Sequence, residues 1–331
     1  MSCGFVPYKN LQCPVAHLLG SVIVTLNNTN LTLSMSYLSL ENSNFFIIGS
    51  SLVLICIALT SLRLIVQMHA KKLLQKELAQ RDNFALGINY AAKVAVLCGS
   101  ISYFFGNLTA FDISVIHTQV LLPMGLIWSY IYLGQYIHRK WILYRFNEAQ
   151  AILNQNVCAA LVDSGMLIGN CILVFGLYQW FAPTDFKSLF IASICFVVLQ
   201  LLFALDSKFR ESRFAKSNQG ASLQDNFNLA NTSIGIRYAG KTIGLALAIY
   251  AGLHSAPNYE GKIVDSLLTV LIHSIFMWIL LYLFSRLLIQ IVLPKVNIGL
   301  EVDHQDNIGI ACLEFAVFCT MGYLLINMFS I

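Results

Sequence analysis

Charge is what this chain has least of. Of its 331 residues 20 are Lys or Arg and 16 are Asp or Glu, so 11% carry charge, against roughly 25% in a soluble domain. With 57% hydrophobic residues, that scarcity excludes an ordinary soluble globule and marks a multi-spanning membrane protein. The net charge of +4 is thin and scattered, no footprint for nucleic acid. The bilayer is the partner the composition implies, and self-association into a homo-oligomer is compatible with it.

Catalytic signatures are missing as well. No HExxH, no GxSxG and no glycine-rich phosphate loop occurs, and the polar segments are too short for a catalytic domain, so the chain reads as a non-enzyme. The nine cysteines contain no CxxC pair and no His/Cys cluster with metal-ligand spacing; neither metal nor cofactor is expected. Cys56, Cys98, Cys158, Cys171, Cys195, Cys312 and Cys319 lie in apolar runs and read as small hydrophobes. Only Cys3 and Cys13 stand in a polar segment where a disulfide is conceivable.

Long apolar runs are abundant. A bilayer core about 30 Å thick needs about 20 helical residues to cross it. Eight stretches qualify, near 45–68, 83–105, 114–137, 155–181, 186–205, 228–253, 264–293 and 307–330. Basic residues are nearly absent from every second connection. Lys71, Lys72, Lys76 and Arg81, then Arg139, Lys140 and Arg145, then Lys208, Arg210, Arg213 and Lys216, and finally Lys295 fall in one set. The other set holds only Lys187 and Lys262. The positive-inside rule places the first set in the cytoplasm and both termini outside. Residues 1–44 include "PVAHLLGSVIVTL", too short to span and without the basic flank of a signal peptide; a surface-lying segment is expected, with a cleaved leader as the alternative. Asn27, Asn30 and Asn107 sit in N-x-T sequons.

Two similar phrases, "ALGINYAAK" ending at Lys93 and "SIGIRYAGK" ending at Lys241, expose an internal repeat. Each even-numbered span opens on an asparagine followed by small residues: "RDNFALGINYAAK", "NQNVCAALVDSG", "LANTSIGIRYAGK" and "HQDNIGIACLEFA". The asparagines are Asn83, Asn156, Asn231 and Asn307, separated by 73, 75 and 76 residues. Three near-equal steps between four motifs predict four helical-hairpin units. Units one and three match best, as do two and four, so the chain reads as two tandem four-helix halves, 45–181 and 186–331, behind an extracytoplasmic segment, 1–44. Even numbers of spans make the two halves parallel. The fold class is therefore all-α membrane protein, eight transmembrane helices in two parallel four-helix repeats with pseudo-fourfold character.

This pattern resembles the YjfL-like family of bacterial inner-membrane proteins, whose four-helix domains carry an Asn-rich motif at the start of their second and fourth helices. The resemblance covers nearly everything after residue 44. It implies the architecture and a bacterial inner-membrane location, and no reaction, because the family has no established biochemical function.

Each asparagine fits an N-cap, accepting a first-turn N–H that the membrane edge would leave unsatisfied. The alternative is a ring of four amides around a cytoplasmic mouth. The even spans also carry ladders of small residues, Gly87, Ala91, Ala95 and Gly99 in one and Gly240, Gly244, Ala248 and Gly252 in another, with a further step at Gly165 and Gly169. Such stripes let helices approach closely in lipid, so the even helices are expected inside and the bulkier odd helices toward lipid.

Lys93 and Lys241 lie ten residues past their asparagines, about 15 Å deep at 1.5 Å per residue. Asn89 and Arg237 precede them by one turn on the same face. The other two motifs answer with Asp163 and Glu314, and Asn156, Asp163 and Asn170 form one heptad stripe. A lone charge at mid-bilayer costs about 2.5–3.5 kcal/mol or more, so these groups must meet each other or water. Lys93 with Asp163 and Lys241 with Glu314 is the simplest pairing; the crossed pairing fits equally, and Arg237 is left over for a carbonyl, the interface or an anion. As clasps, the pairs would fix helix register. As a polar path, Asn89, Lys93, Asp163, Asn170, Arg237, Lys241 and Glu314 would line a route for a small solute or ion of unknown identity. Two functions follow: a transporter or channel, or a non-transporting membrane scaffold, which the family resemblance implies is an accessory protein linked to envelope stress or polyamines.

Overall fold

Long helices alternate with one-turn helices in a computed structural model that describes residues 42–70, 73–108, 112–181, 186–257 and 263–329. The expectations for residues 1–41, including Cys3, Cys13, Asn27 and Asn30, lie outside the described residues. The long helices are α1 (Asn42–Ala70), α3 (Phe84–Gly106), α4 (Ser114–Ile142), α6 (Val157–Trp180), α7 (Phe186–Ser217), α9 (Thr232–Ser255), α10 (Ile263–Val292) and α12 (Ile308–Phe329). Four short ones stand between pairs of them: α2 (Leu74–Ala79), α5 (Glu148–Leu153), α8 (Leu223–Asn228) and α11 (Ile298–Asp303). No strand occurs among the described residues.

Seven of the long helices are long and apolar enough to cross a membrane; the chain is a membrane protein built of helices. The eighth, α9, falls short in apolarity because Arg237, Lys241 and several small polar residues interrupt it. Yet Ser233, Ile234, Tyr238, Thr242, Ala246, Tyr250 and most of its other residues are buried. Protein rather than lipid surrounds those polar groups, which removes the hydrocarbon penalty that a hydropathy window assumes.

The four connections ahead of Asn83, Asn156, Asn231 and Asn307 fold alike. Each ends a short helix, turns through one residue at positive φ (Asp82 at 47°, Gln155 at 66°, Ala230 at 58°, Asp306 at 49°) and then starts a long helix. That left-handed residue reverses the chain within three or four positions, at a steric cost of about 1–2 kcal/mol for a residue with a Cβ. The asparagine next in line caps the helix it opens. Its Oδ1 accepts from Leu86, Ala159, Ile234 and Ile310 N–H at 2.9, 2.9, 3.0 and 3.2 Å in the four cases.

The four amides do not form a ring around a mouth. Asn83 Nδ2 donates to Ile152 O at 3.2 Å, Asn156 Nδ2 to Phe227 O at 2.8 Å and Asn231 Nδ2 to Val302 O at 3.5 Å. Each acceptor is the fifth residue of the next short helix along the chain, where carbonyls lack intrahelical partners. Asn307 ends the series on its own neighbour, Glu301 Oε2, at 2.9 Å. The first three asparagines therefore tie each turn to its successor, with their donors spent on backbone.

The described residues divide into two compact units, one within 42–58 and 97–124 and the other within 59–96 and 125–329. The smaller holds the start of α1, whose Phe45, Leu52 and Ile57 are exposed, and the end of α3, whose Ile101, Phe104 and Phe105 are buried. In the larger unit α9 is the hub, packed against α6, α12 and α10. Its glycines explain why. A Cβ on Gly240 would stand 2.5 Å from Phe315 Cα, and one on Gly244 2.7 Å from Phe318 O, both on α12. Gly235 presses on Cys158 of α6 and Gly252 on Ser274 of α10. Gly87 of α3 meets only Leu78 at 3.8 Å, so its ladder step does not bring backbones together. The even-inside, odd-outside expectation needs correction accordingly. The most apolar part of α6 is 83% buried, but that of α12 only 33%, less than the 50% of the odd helix α7.

Candidate functional site

Three buried charge clusters occupy the larger unit. In the first, Asp163 of α6 is fully buried. Arg139 Nε reaches its Oδ1 at 2.9 Å and Arg139 Nη2 its Oδ2 at 2.8 Å, a bidentate fork. Asn89 Nδ2 adds a third bond to Oδ2 at 2.6 Å. Lys93, the partner expected from the sequence, is displaced: among the described residues no carboxylate lies within 4.0 Å of it. The reason is reach. Helix α4 continues to Ile142 through a widened turn at His138–Ile142, so Arg139 is no loop residue and its planar head arrives first.

Asn170, two turns beyond Asp163, belongs to separate surroundings. Its Oδ1 accepts from Gln200 Nε2 at 2.8 Å, and it fills the space beside Gly134, where a Cβ would fall 2.5 Å from Oδ1. The heptad stripe Asn156–Asp163–Asn170 thus meets three different neighbours and forms no continuous polar rail.

The second cluster gathers Arg237, Lys241 and Glu314. Lys241 Nζ lies 2.8 Å from Glu314 Oε1 and 5.3 Å from the centroid of the Phe318 ring. Arg237, left over in the sequence reading, is in fact the centre: Nε donates to Glu314 Oε2, Nη1 to Asp303 Oδ1, and Nη2 to Ile298 O at 2.9 Å. Asp303 is supplied by α11, which the Asn231–Val302 bond holds in place. The crossed pairing of Lys93 with Glu314 and Lys241 with Asp163 does not occur.

The third cluster was not anticipated. Helix α7 runs to Ser217, well past the expected end at 205, and carries Asp206 and Arg210 inside. Asp206 Oδ1 accepts from Trp278 Nε1 at 3.0 Å and Tyr282 Oη at 2.7 Å, while Arg210 Nη2 lies 2.5 Å from Oδ2. Arg210 Nη1 bonds Tyr238 O and Thr242 Oγ1, and its guanidinium stacks 4.3 Å over the Tyr238 ring. The i, i+4 acid–base spacing at the end of an apolar run was the signal available, and assigning Arg210 to a loop concealed it.

Outside the spans, Glu148 opens α5 and is buried, its Oε1 without a hydrogen bond and 4.0 Å from His138 Nδ1. Burial, helped by the negative charge of Asp163, pushes its carboxyl up from 4.5 to about 8.

Between α7, α9, α10, α11 and α12 lies a cavity of about 770 Å³ that reaches Lys241, Arg237 and Glu314. Among the described residues no group of three or more His, Cys, Asp or Glu is arranged to hold a metal ion.

A family model described as "Domain of Unknown Function (DUF350)" matches residues 185–329. No curated protein and no solved structure matches the chain. The matched segment contains α7 to α12, the second and third clusters and the whole cavity lining. What the match supports is similarity to an uncharacterised domain family; it carries no activity. The arrangement itself offers fixed cations beside an accessible space, suited to holding a polar or charged solute.

Proposed function

We propose that the protein admits a small solute or ion into the membrane through the charged cavity of its second half, acting as a transporter or channel in a bacterial inner membrane. In this reading both termini are extracytoplasmic. The chain forms eight spans in two parallel, tandem four-helix halves of YjfL-like type, α9 being the eighth span, and it has no enzymatic activity. The observation that carries the reading is the cavity: a space of about 770 Å³ extends to Lys241 and Arg237, residues about 10–15 Å along α9 from its Asn231 cap. A purely structural clasp has no need of such a space. In the first half Asp163 is enclosed and saturated by Arg139 and Asn89; in this reading that half is the fixed frame.

A second reading, a non-transporting membrane scaffold, is favoured by one observation. Asp163, Asp206 and Glu314 each touch their cations directly, as a register clasp would require. Reconstitution into liposomes separates the two. Native protein is expected to release trapped anions or small polar solutes faster than empty liposomes, and Lys241→Met to slow that release. Equal flux in the variant removes the lysine from the route, and native protein that passes nothing leaves the scaffold.

A further inference from the structure

The cavity has a sign. Its wall carries Arg210, Arg213, Arg237, Lys241 and Arg286 against the carboxylates of Asp303 and Glu314. Asp206 behind Arg210 neutralises one more, which leaves two positive charges unmatched. They are identifiable: among the described residues neither Arg213 nor Arg286 has a carboxylate within 4.0 Å. Arg213 is held over the Phe209 ring at 5.6 Å, on the cavity wall. Deeper in, Arg210 is buried and its Nε finds no hydrogen-bond acceptor. That N–H is closed off from the cavity, so the surplus rests on Arg213 and Arg286.

From this excess we infer that the cavity binds a phosphate-ester anion. Two spare guanidinium groups suit a multi-oxygen anion of charge between one and two, which arginine forks grip in pairs. The volume exceeds what a bare phosphate fills and is of the size that holds an organic body. The uncharged part of the wall mixes apolar residues, Phe214, Ile234, Ile289 and Phe318 among them, with polar ones such as Gln290 and Asn297. The ligand is accordingly amphiphilic, and its phosphate comes from an acidic phospholipid headgroup or from a soluble phosphorylated metabolite. This deepens the cavity reading above and rests on that space being open to ligands, but it does not require transport.

The test compares wild type, an Arg213→Gln/Arg286→Gln double variant, and Arg145→Gln as a control that removes charge away from the cavity. Both cavity arginines lie outside the carboxylate network, so the fold is expected to persist. In one arm, purified protein in neutral detergent is titrated with inorganic phosphate and with glycerol phosphate at constant ionic strength, and unfolding temperature is followed. In the other, protein from vesicles of phosphatidylcholine alone or of equal phosphatidylcholine and phosphatidylglycerol is examined by native mass spectrometry for retained lipid. Saturable stabilisation by glycerol phosphate, weakened about tenfold in the double variant only, identifies a soluble ligand. Phosphatidylglycerol retained by wild type and Arg145→Gln but lost by the double variant identifies the headgroup. No binding in either arm, or equal loss in the Arg145→Gln control, overturns the inference. Binding without liposome flux would sink the transport reading alone, and flux without binding would sink this one alone.

Discussion

Asp163 and Glu314 face one physical problem, a carboxylate removed from water, and meet it with different cations. Asp163 uses Arg139, whose fork makes two bonds at once, while Lys93 one helix away is left without a close carboxylate. Removing one member of a buried pair costs about 3–5 kcal/mol, because the other stays charged and unmatched. Arg139→Gln is therefore expected to lower the unfolding temperature in detergent sharply and Lys93→Met to leave it nearly unchanged; the reverse order would restore the pairing read from sequence. Glu148 gives a pH-dependent counterpart. Its carboxyl is raised from 4.5 to about 8 in the fold, so the folded state holds its proton more tightly than the unfolded chain. The contribution is fully present below pH 4.5 and is lost as pH rises through about 8, by at most about 5 kcal/mol. Glu148→Gln, which stays neutral, should flatten that decline in thermal stability between these two pH values. An unaltered slope would mean that the carboxyl titrates normally.

Among the helices, the same small-residue ladder has opposite consequences in α3 and α9. On α9 the ladder is a docking surface, since Gly240 and Gly244 admit the α12 backbone. Gly240→Leu must push the two helices apart and is expected to destabilise by about 3 kcal/mol. Gly87 has open room, so Gly87→Ala should be neutral or stabilising by up to about 1 kcal/mol through helix propensity. Guided by sequence alone, one would rank the two alike. The turns offer a finer check. Ala230 is exposed and sits at φ 58°, where its methyl group is a liability; Ala230→Gly is expected to stabilise by about 1 kcal/mol, read as a higher unfolding temperature. The four turn motifs were legible because capping is local chemistry, confined to the few residues after each asparagine. The tie from Asn156 to Phe227 was not legible, because its acceptor is 71 residues away and is plain backbone.

Across the whole molecule, the sorting of basic residues survives the loss of two members. Arg139 and Arg210 are built into helices and hold buried acids, but Lys140, Arg145, Lys208, Arg213 and Lys216 remain on their side. The proposed orientation, with both termini outside, rests on that remainder. A C-terminal reporter that is active only outside the cytoplasm should therefore be active, and one that works only inside should be silent. Enclosure follows a different rule from hydropathy. Helix α9 is the long helix that falls short of a membrane span by apolarity, and it is the one around which its unit is packed, since glycines let three neighbours close on it and those neighbours satisfy its charges.

By itself the sequence determined the class of protein, the helical runs and the asparagine caps. These depend on composition and on contacts within a turn or two. Tertiary structure alone decided which cation meets which carboxylate, which ladder carries a helix contact, and where a cavity with surplus positive charge opens. Those outcomes depend on the reach and direction of side chains from helices distant in the chain, and no local spacing encodes them.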